Sequence, residues 1–418
     1  MSPAPGTEPD PASRRFGPYG PLVLGLACSQ IVGWGITYHS LSAFIGPMRA
    51  ELGLSATQIN GAMTLAFVVC DVVSVPAGQW FDRHGGRGMA TLGAALIGAM
   101  LLAWSQASDL VALYFIFALI GAGQGMALNN VGFAAVTANV RDTRRGLNML
   151  TLLAGLSPSI VMPLAGLMIA QWGWRAALIG LALVQFVGCA LVLFTVLRGA
   201  AGSQSGESAE QRAALPSPLG SALRRPTFWL LVIAFSIQWF STAGFTMHSL
   251  PILTEWGHSS ASGILLMSIV GPAQIAGRLA IMAFWPNASG RNIGRAMWIV
   301  FALAMLLLAT RGTEGWSWLV AYILLYGASS GVLVVARVMV IAEIFGLRGY
   351  GAVSAAIGAA SIVARTGAPL LLALAHDLAG GYVPVAQGLA ALSFIGAAAF
   401  FAATARERMP TPQPLASQ

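Results

Sequence analysis

Apolar runs of about 20 residues follow one another from residue 21 to residue 404, separated by short segments that carry charges, glycine or proline. A helix needs about 20 mostly apolar residues to cross the hydrocarbon core of a membrane, so this pattern constrains the fold more than any single motif. Hydrophobic residues make up 57% of the chain, against roughly 45–50% in soluble domains. The runs lack the alternation of a membrane β-barrel, and we therefore predict an all-α membrane protein.

Pairing the apolar runs with their breaks predicts twelve transmembrane helices, here called spans 1 to 12. We place them at residues 21–47, 57–80, 88–106, 110–138, 146–171, 174–197, 227–252, 261–285, 293–310, 316–344, 350–376 and 382–404. The segment between spans 6 and 7 is rich in glycine, serine and arginine and cannot bury enough apolar surface to fold alone. The predicted organisation is a disordered cytoplasmic tail at 1–19, a six-helix bundle at 20–198, a cytoplasmic linker at 199–226, a second six-helix bundle at 227–405 and a cytoplasmic tail at 406–418.

An internal repeat supports the division into two bundles. Gly121 and Gly125 in span 4 recur 206 residues later as Gly327 and Gly331 in span 10, and a proline of span 5 recurs at the same distance in span 11. Transporters built from repeated helical bundles bind their substrates near the bilayer midplane, between the repeats. The repeat therefore predicts two pseudo-symmetric six-helix bundles with a central cavity between them.

The arginines outside the spans are distributed unevenly between the two sides of the membrane. Of the 22 basic residues, three lie inside predicted spans, three (Arg49, Arg175 and Arg311) lie in loops on one side, and the remaining sixteen lie in loops or tails on the other. Short loops rich in arginine stay in the cytoplasm. The distribution predicts a multi-pass protein of the cell's inner (plasma) membrane with both termini cytoplasmic.

Charge and cysteine content argue against several other classes. The net charge is +8, but the arginines are scattered through short loops instead of forming a basic domain, so we expect no nucleic-acid partner. The three cysteines lie inside predicted spans at spacings that fit neither disulfides nor a metal site. The chain carries no nucleophile and base pattern, metal-ligand spacing or phosphate-binding loop. We therefore expect a monomer in the lipid bilayer that is not an enzyme, holds no cofactor and does not use ATP.

A decapeptide between spans 2 and 3 places charges between two long apolar runs. In Gly78-Gln79-Trp80-Phe81-Asp82-Arg83-His84-Gly85-Gly86-Arg87, the residues Gly78, Asp82, Arg83, Gly85 and Arg87 resemble the cytoplasmic loop motif of the major facilitator superfamily. The resemblance implies the major facilitator fold of twelve helices in two bundles, and it implies membrane transport.

Three further stretches resemble the branch of this superfamily that contains monocarboxylate transporters and oxalate:formate antiporters. They are Gly33-Trp34-Gly35 with Tyr38 in span 1, Arg144-Arg145-Gly146-Leu147 before span 5, and Gly173-Trp174-Arg175 before span 6. This branch implies a small organic anion, a mono- or dicarboxylate, as substrate, and a proton or a counter-anion as the coupled solute.

Two arginines lie deep inside predicted spans of the second bundle. Each charged side chain in a span costs about 2.5–3.5 kcal/mol on insertion scales, so Arg278 in span 8 and Arg365 near the middle of span 11 indicate a functional site. Guanidinium groups bind carboxylates bidentately, and the oxalate:formate antiporters that this chain resembles carry a cationic residue in each of these two spans. The alternative is that an arginine pairs with an acid and only stabilises the bundle, with Asp71 in span 2 as the obvious partner.

Other polar residues inside the spans extend the candidate site. Asp71 is either a proton carrier or a structural counter-ion, and His39 and His248 are either proton-coupling groups or wetted histidines near the outer ends of their spans. The remaining predicted substrate contacts, each with helix packing as the alternative, are Gln30, Trp34 and Tyr38 on one face of span 1, Asn129 in span 4 and Gln274 in span 8.

Charged residues at the predicted cytoplasmic ends of the spans are candidates for a gate. An acid at the end of span 2 can bridge arginines of the next cytoplasmic loop, and such pairs would hold the cytoplasmic side closed. The alternative is that these charges only set the topology. The predicted gate residues are Gly78, Asp82, Arg83, Gly85, Arg87, Arg141, Arg144, Arg145, Arg337 and Glu343.

These features together predict a secondary transporter that moves small organic anions by alternating access, as proton symport or anion exchange. Proton-driven efflux of hydrophobic or cationic compounds is the alternative, and it requires an unpaired acid in the cavity. A membrane receptor or assembly scaffold is a third hypothesis, which predicts an ordered soluble domain beside the spans.

Overall fold

The computed structural model describes residue 17 and residues 20–128, 131–198, 218–312, 314–346 and 350–405. Almost all of the predicted tails, most of the predicted linker and Asn129 lie outside these ranges. The side chains of Asp82, Arg83 and Arg144 lie outside the described part of the molecule as well.

Helices account for nearly all of the described residues, and no β-strand occurs among them. The helices of the first half are Pro21–Trp34, Leu41–Leu52, Ala56–His84, Arg87–Trp104, Leu110–Ala127, Val131–Asn139, Thr143–Ala154, Ser157–Gln185 and Val192–Val196, with π-helical segments at Gly35–His39 and Phe186–Leu191. The helices of the second half are Pro218–Leu223, Pro226–Glu255, Ser260–Ser268, Val270–Phe284, Gly290–Arg311, Trp316–Phe345, Tyr350–Ala379 and Tyr382–Ala405.

Among the described residues, eleven apolar helical segments are long enough to cross a membrane, and the longest of them has the length of two crossings. The segment Arg145–Val196 has 52 residues, or about 78 Å of helix at 1.5 Å per residue, more than twice the thickness of the hydrocarbon core. Its backbone leaves the helical conformation at Gly173, where φ is 78°. Met168 lies 3.0 Å from the place of a Cβ on Gly180, so the chain reverses between these two residues. The prediction of twelve spans is thereby confirmed.

Short polar residues begin several helices, and glycines end them. Ser55 and Gln58 form a capping box at the start of span 2, in which the side chain of each accepts a hydrogen bond from the backbone N–H group of the other. Asp109 caps span 4 by accepting from the backbone N–H group of Ala112 at 2.9 Å. Gly53 ends span 1 with a φ of 66°, which favours glycine. These local interactions carry the helices a few residues beyond the apolar runs, so span 1 reaches residue 52 instead of 47.

The glycine repeat corresponds to the same helix packing in both halves. A Cβ on Gly121 would lie 2.0 Å from the carbonyl oxygen of Ala66, so span 4 packs directly on the backbone of span 2. A Cβ on Gly327 would lie 2.6 Å from Cβ of Ala273, so span 10 packs on span 8 in the same manner. Small residues allow this close approach of helices inside a membrane. The two six-helix halves are therefore pseudo-symmetric, as the repeat predicted.

Three pairs of spans join the two halves: spans 1 and 7, spans 2 and 11, and spans 5 and 8. We call the end of the molecule with the loop between spans 2 and 3 the linker end, and the end with the turn at residues 53–55 the far end. Trp104 and Trp298 are buried inside the halves, whereas Val111 and Leu378 are exposed. Apolar side chains on an outer surface are expected of helices that face lipid.

Candidate functional site

An ion pair joins the two halves at the middle of the membrane-spanning helices. Arg365 donates from Nη2 to Oδ1 of Asp71 at 2.8 Å, and the two side chains are only 14% and 16% exposed. Asp71 is the 16th of the 29 residues of Ala56–His84, and Arg365 is the 16th of the 30 residues of Tyr350–Ala379. The hydroxyl group of Thr366 donates to Oδ2 of Asp71 at 3.0 Å. Both oxygens of this carboxylate are therefore occupied, as a mostly buried charge requires.

The Arg365 guanidinium also lies close to two aromatic rings and keeps a donor without a partner. Its Cζ atom is 5.8 Å from the centroid of the Phe67 ring and 6.0 Å from that of the Trp239 ring, within the range of cation–π attraction. Its Nε–H group is buried and has no hydrogen-bond partner among the described residues. Such a donor costs about 1–3 kcal/mol when it stays unsatisfied. A ligand oxygen at this position would remove that cost.

Spans 2 and 11 run antiparallel and touch from the far end as far as the ion pair. The hydroxyl group of Thr57, in the first turn of span 2, donates to Asp377 near the end of span 11. Closer to the middle, a Cβ on Gly61 would lie 4.0 Å from Cδ1 of Leu370. The ion pair is the next contact toward the linker end.

Spans 5 and 8 form a second seam with the same extent. Near the far end, a Cβ on Gly166 would lie 2.2 Å from Cδ1 of Ile264. Near the middle, a Cβ on Gly271 would lie 2.7 Å from the carbonyl oxygen of Gly155, and Oε1 of Gln274 lies 3.6 Å from the place of a Cβ on Gly155. Gln274 thus contacts the first half at the last point where these two spans meet.

Arg278 lies one helical turn beyond Gln274 on the same face of span 8, toward the linker end. Its Nε–H group donates to the carbonyl oxygen of Gly331 in span 10 at 3.1 Å, and its side chain is partly exposed. Among the described side chains, no carboxylate forms an ion pair with it. Arg278 therefore contributes a positive charge that the described acids leave unneutralised.

Spans 1 and 7 form the third seam, close to the pseudo-symmetry axis. Oγ of Ser249 donates to Oγ of Ser42 at 3.3 Å, and these residues are 207 positions apart, close to the sequence repeat. One turn nearer the linker end, the hydroxyl group of Tyr38 lies beside Thr246. The ring centroid of Tyr38 is 5.7 Å from that of Phe67, so Tyr38 borders the space around Arg365.

Gln30 and Trp34, which continue this face of span 1, use their polar groups within the first half. Trp34 donates from Nε1 to Oε1 of Gln30 at 2.7 Å. Gln30 donates from Nε2 to the carbonyl oxygen of Leu128 in span 4 at 3.0 Å. In this conformation the two side chains serve helix packing.

The three seams end at a common level, and the halves part on the linker side of it. The four side-chain hydrogen bonds named above between the two halves lie at this level or toward the far end. This geometry closes the central space at the far end and opens it toward the linker end. Arg365 and Arg278 lie near its closed end.

Of the two histidines considered for proton coupling or contact with water, His248 is not in contact with water in the structure. His248 is fully buried, with Nε2 at 2.9 Å from the carbonyl oxygen of Pro369 and Nδ1 at 2.7 Å from the hydroxyl oxygen of Tyr382. A carbonyl oxygen only accepts, so Nε2 carries the proton and Nδ1 accepts from Tyr382. His248 is therefore a neutral bridge between spans 7, 11 and 12. His39 is partly buried and stands edge-on to Tyr38, with ring centroids 4.9 Å apart.

Two of the predicted gate arginines of the first half, Arg87 and Arg145, contact residues of that same half. Arg87 donates from Nε to the carbonyl oxygen of Phe194 at 2.9 Å and lies 3.9 Å above its ring, which ties span 3 to span 6. Arg145 pairs with Asp142, the cap of its own helix, at 3.3 Å. Gly85 ends span 2 with a φ of 77°, so its role is a helix stop.

The predicted gate residues of the second half also bind their own half. Glu343 accepts from the backbone N–H groups of Gly290 at 2.5 Å and Arg291 at 3.3 Å, which caps span 9. Arg337 donates to the carbonyl oxygen of Ser354 in span 11 at 3.3 Å. Glu343 is therefore bonded to the start of span 9 and not to Arg337 in this conformation.

The Gly-Trp-Arg motif holds the far-end loops of the first half together. Glu51 at the end of span 1 accepts from Nε1 of Trp174 at 2.5 Å and from Nε of Arg175 at 2.7 Å. The other two nitrogens of Arg175 donate to the carbonyl oxygens of Ser105 at 2.7 Å and Ala107 at 3.0 Å. One arginine thereby fixes the turns after spans 1, 3 and 5.

Sequence reasoning missed three residues around the ion pair. Phe67 precedes Asp71 by four positions and therefore shares its helix face, a spacing that could have indicated it. Thr366 follows Arg365 directly, but a lone threonine in a span is no signal, and nothing in the sequence points to Trp239. Within the described ranges, no group of three histidine, cysteine, aspartate or glutamate side chains is arranged to hold a metal ion.

Two pseudo-symmetric helical halves around a central pair of opposite charges define a membrane transport protein. The model of the Major Facilitator Superfamily matches residues 22–310, and the chain belongs to this family of secondary transporters. The chain is similar to the oxalate:formate antiporter of Oxalobacter formigenes, with 27% identity over 294 residues, 69% of this chain and 67% of that protein. It is also similar to the probable L-galactonate transporter of Escherichia coli (strain K12), with 28% identity over 148 residues, 34% of this chain and 31% of that protein.

Solved structures share the fold at low sequence identity. A D-xylose-proton symporter superimposes with a TM-score of 0.70 at 14% identity, covering 91% of this chain and 96% of that chain. A bacterial homolog of the human lysosomal transporter Spinster superimposes with a TM-score of 0.66 at 15% identity, covering 92% of this chain and 96% of that chain. These likenesses establish the fold alone.

Proposed function

We propose that the chain moves a small organic anion, a mono- or dicarboxylate, by alternating access between its two halves. The observation that carries this proposal is the pair of arginines at the level where the halves part. Arg278 has no acidic partner among the described side chains, and Arg365 keeps a buried Nε–H group without a partner. Guanidinium groups in such surroundings attract a carboxylate.

Asp71 takes the place of the substrate carboxylate in the empty carrier. Arg365 then has a counter-ion in both states, which a site of low dielectric constant requires. A substrate that displaces Asp71 breaks the contact between spans 2 and 11 and so frees the halves to rock. If the displaced Asp71 takes up a proton, transport is proton symport. If the displaced Asp71 stays ionised and returns to Arg365 only in the absence of a bound anion, transport is anion exchange.

The similarity to the two relatives supports an organic acid as cargo. Oxalate, formate and L-galactonate are carboxylates, although they differ in size and charge. With the linker end in the cytoplasm, as the arginine distribution predicts, the central space of this structure opens to the cytoplasm. The moving bodies are then the halves at 20–198 and 227–405, acting as a monomer in the inner membrane, with the segment at 199–226 between them.

The predicted gate residues would act in the opposite state of the carrier, in which the far end is open and the linker end is closed. When the far end opens, the linker end must close, and charged residues there are free to meet across the halves. The first-half candidates are Asp82, Arg83, Arg87, Arg141, Arg144 and Arg145, with Arg337 and Glu343 in the second half.

Efflux of cationic compounds is the second candidate, and the central charges disfavour it. A cation exporter needs a carboxylate that faces the cavity without a partner. Asp71 is held by Arg365 on one oxygen and by Thr366 on the other. The uncompensated charge of the central region is positive.

Counterflow of labelled carboxylates in proteoliposomes tests the proposal. Vesicles loaded with unlabelled formate, oxalate, lactate or galactonate should accumulate the matching labelled anion. Arg278→Gln and Arg365→Gln should abolish accumulation, whereas Arg295→Gln should retain it. Arg295 is the matched control because its Nε–H group binds Thr404 within the second half at 2.8 Å. Uptake that survives both central substitutions would overturn the organic-anion proposal and leave the family assignment intact.

A further inference from the structure

A cluster of titratable side chains lies at the far end of the second half, away from the central site. His376, near the end of span 11, stands between two carboxylates. Its Nε2 atom is 2.8 Å from Oε2 of Glu255, and its Nδ1 atom is 3.2 Å from Oδ1 of Asp377. The three side chains are 20%, 36% and 46% exposed, in that order, so water reaches the cluster.

The two contacts of the His376 ring require one extra proton. An ionised carboxylate only accepts hydrogen bonds, and a neutral imidazole has one donor and one acceptor nitrogen. Both contacts are hydrogen bonds only if the ring carries two protons or one carboxyl group is protonated. The geometry therefore describes a cluster that holds one proton more than a neutral histidine beside two carboxylates.

The cluster is connected to the other half through Asp377. Its Oδ2 atom accepts from the hydroxyl group of Thr57, which belongs to span 2. The other carboxylate, Glu255, accepts from the backbone N–H group of Tyr382 at 2.7 Å. His376 thus contacts one oxygen of Asp377 within the second half, and the other oxygen of Asp377 binds Thr57 of the first half. The bond between Asp377 and Thr57 is one of the contacts that close the far end.

Spans 1, 7 and 12 contribute charged or titratable groups to the surroundings of the cluster, and the ring centroid of Tyr382 in span 12 is 4.2 Å from that of His376. Span 1 contributes Arg49, whose positive charge lies near enough to attract the Asp377 carboxylate. Span 7 contributes Glu255 and the buried His248, whose two ring nitrogens are already bonded. Asp377 accepts from Thr57 with one oxygen and faces Nδ1 of His376 with the other, and a doubly protonated ring donates to both carboxylates, so we place the extra proton on the His376 ring.

We propose that His376, Glu255 and Asp377 form a proton-binding site that keeps the far end of the transporter closed. With the proton bound, the imidazolium joins the two carboxylates and Asp377 stays on Thr57. Without it, a ring lone pair faces a carboxylate oxygen and the two carboxylates repel each other, so Asp377 leaves its position and the halves separate at this end. Acid therefore favours closure of the far end, and base favours its opening, whatever the substrate is.

The test is a distance measurement across the far end. Ser108 in the first half and Ala379 in the second are exposed there and accept spin labels once the three native cysteines are replaced. Double electron–electron resonance in proteoliposomes from about pH 5 to about pH 9 covers the range in which histidines titrate. The population with the longer distance should grow with pH along a one-proton curve, by about tenfold relative to the short-distance population, the size expected for losing one charge-assisted hydrogen bond.

Four variants decide the outcome. His376→Gln should show the longer distance at every pH, and His376→Arg, a permanent cation that can reach both carboxylates, should show the shorter one at every pH. Thr57→Val removes the contact through which the proton acts, so it should raise the long-distance population at acidic pH and flatten the pH response. His258→Gln is the matched control, since His258 is a far-end histidine that lies beside Trp316 with ring centroids 6.2 Å apart. A pH response that persists in both His376 variants, or one that His258→Gln removes, would overturn the proposal.

Discussion

Arg365 and Arg278 have the same predicted role, but the structure gives them different surroundings. Arg365 is bonded to a carboxylate of the opposite half and lies against two aromatic rings. Arg278 is bonded only to a backbone carbonyl group of its own half among the described residues. Its bond does not cross the seam. In the proposed mechanism, Arg365 therefore connects substrate binding to the contact between the halves, and Arg278 supplies charge.

The same comparison fixes the charge of the central site. Asp71 and Arg365 neutralise each other, and Arg278 leaves one positive charge over. A monovalent anion balances this charge, whereas a dianion balances it only when Asp71 is protonated. Under the proposed function, the preferred charge of the substrate thus depends on the difference between the two arginines.

The largest expected effect is that of Arg365→Gln. This substitution leaves Asp71 mostly buried with Thr366 as its remaining partner, and removing one member of a buried ion pair costs about 3–5 kcal/mol. We expect a large drop in the thermal unfolding temperature in detergent and a loss of counterflow of at least about a hundredfold.

The double variant Asp71→Asn with Arg365→Gln separates stability from transport. It removes both charges, so the unfolding temperature should return close to that of the parent while counterflow stays absent. A double variant that transports normally would mean that Arg365 only neutralises Asp71.

Arg278→Gln should weaken substrate binding with little effect on stability. The guanidinium has no acidic partner to leave behind, so the unfolding temperature should change by no more than a few degrees. Loss of a charge-assisted hydrogen bond worth about 1.5–3 kcal/mol raises the substrate KM by about 10- to 150-fold. Arg278→Lys keeps the charge but not the planar fork, and its KM should fall between those of the parent and of Arg278→Gln. An unfolding temperature lowered as far as in Arg365→Gln would show that Arg278 has a structural partner.

The fold could be predicted from the sequence because its signals are local and periodic. Apolar runs set the spans, the strained backbone at Gly173 separates spans 5 and 6, and Gly121 and Gly327 mark the close helix pairs. The cost of charge in a membrane was enough to find Asp71 and Arg365. The sequence could not show whether two spans from different halves touch, because it gives no information on the distance between them. The bond between Thr366 and Asp71 depends on that contact, whereas the contacts of Trp239 and His376 depend on how spans 7 and 11 pack within the second half, so all of them stayed unpredicted.

The central charge predicts a preference among substrates. At one net positive charge, the parent should transport monocarboxylates with a KM about tenfold below that of a dicarboxylate of the same length, because a second carboxylate would remain unpaired in a site of low dielectric constant. Asp71→Asn adds one net positive charge and should reverse this order. Competition of unlabelled acids against one labelled monocarboxylate measures both ratios. Equal preference in the parent and in Asp71→Asn would contradict the charge argument.

Thr366→Val should have the smallest effect, and its sign is the informative part. The Thr366 hydroxyl group holds Asp71 on Arg365, and substrate must displace Asp71 to reach the same guanidinium. Removing a hydrogen bond worth about 1 kcal/mol weakens the competitor, so the KM should fall about fivefold, opposite to the rise expected for Arg278→Gln. Ser361→Ala is the matched control, because Ser361 lies one turn earlier in span 11 and binds only the carbonyl oxygen of Ile357 in its own helix. If Thr366→Val raises the KM as Arg278→Gln does, Thr366 contacts the substrate, and Asp71 does not compete for Arg365.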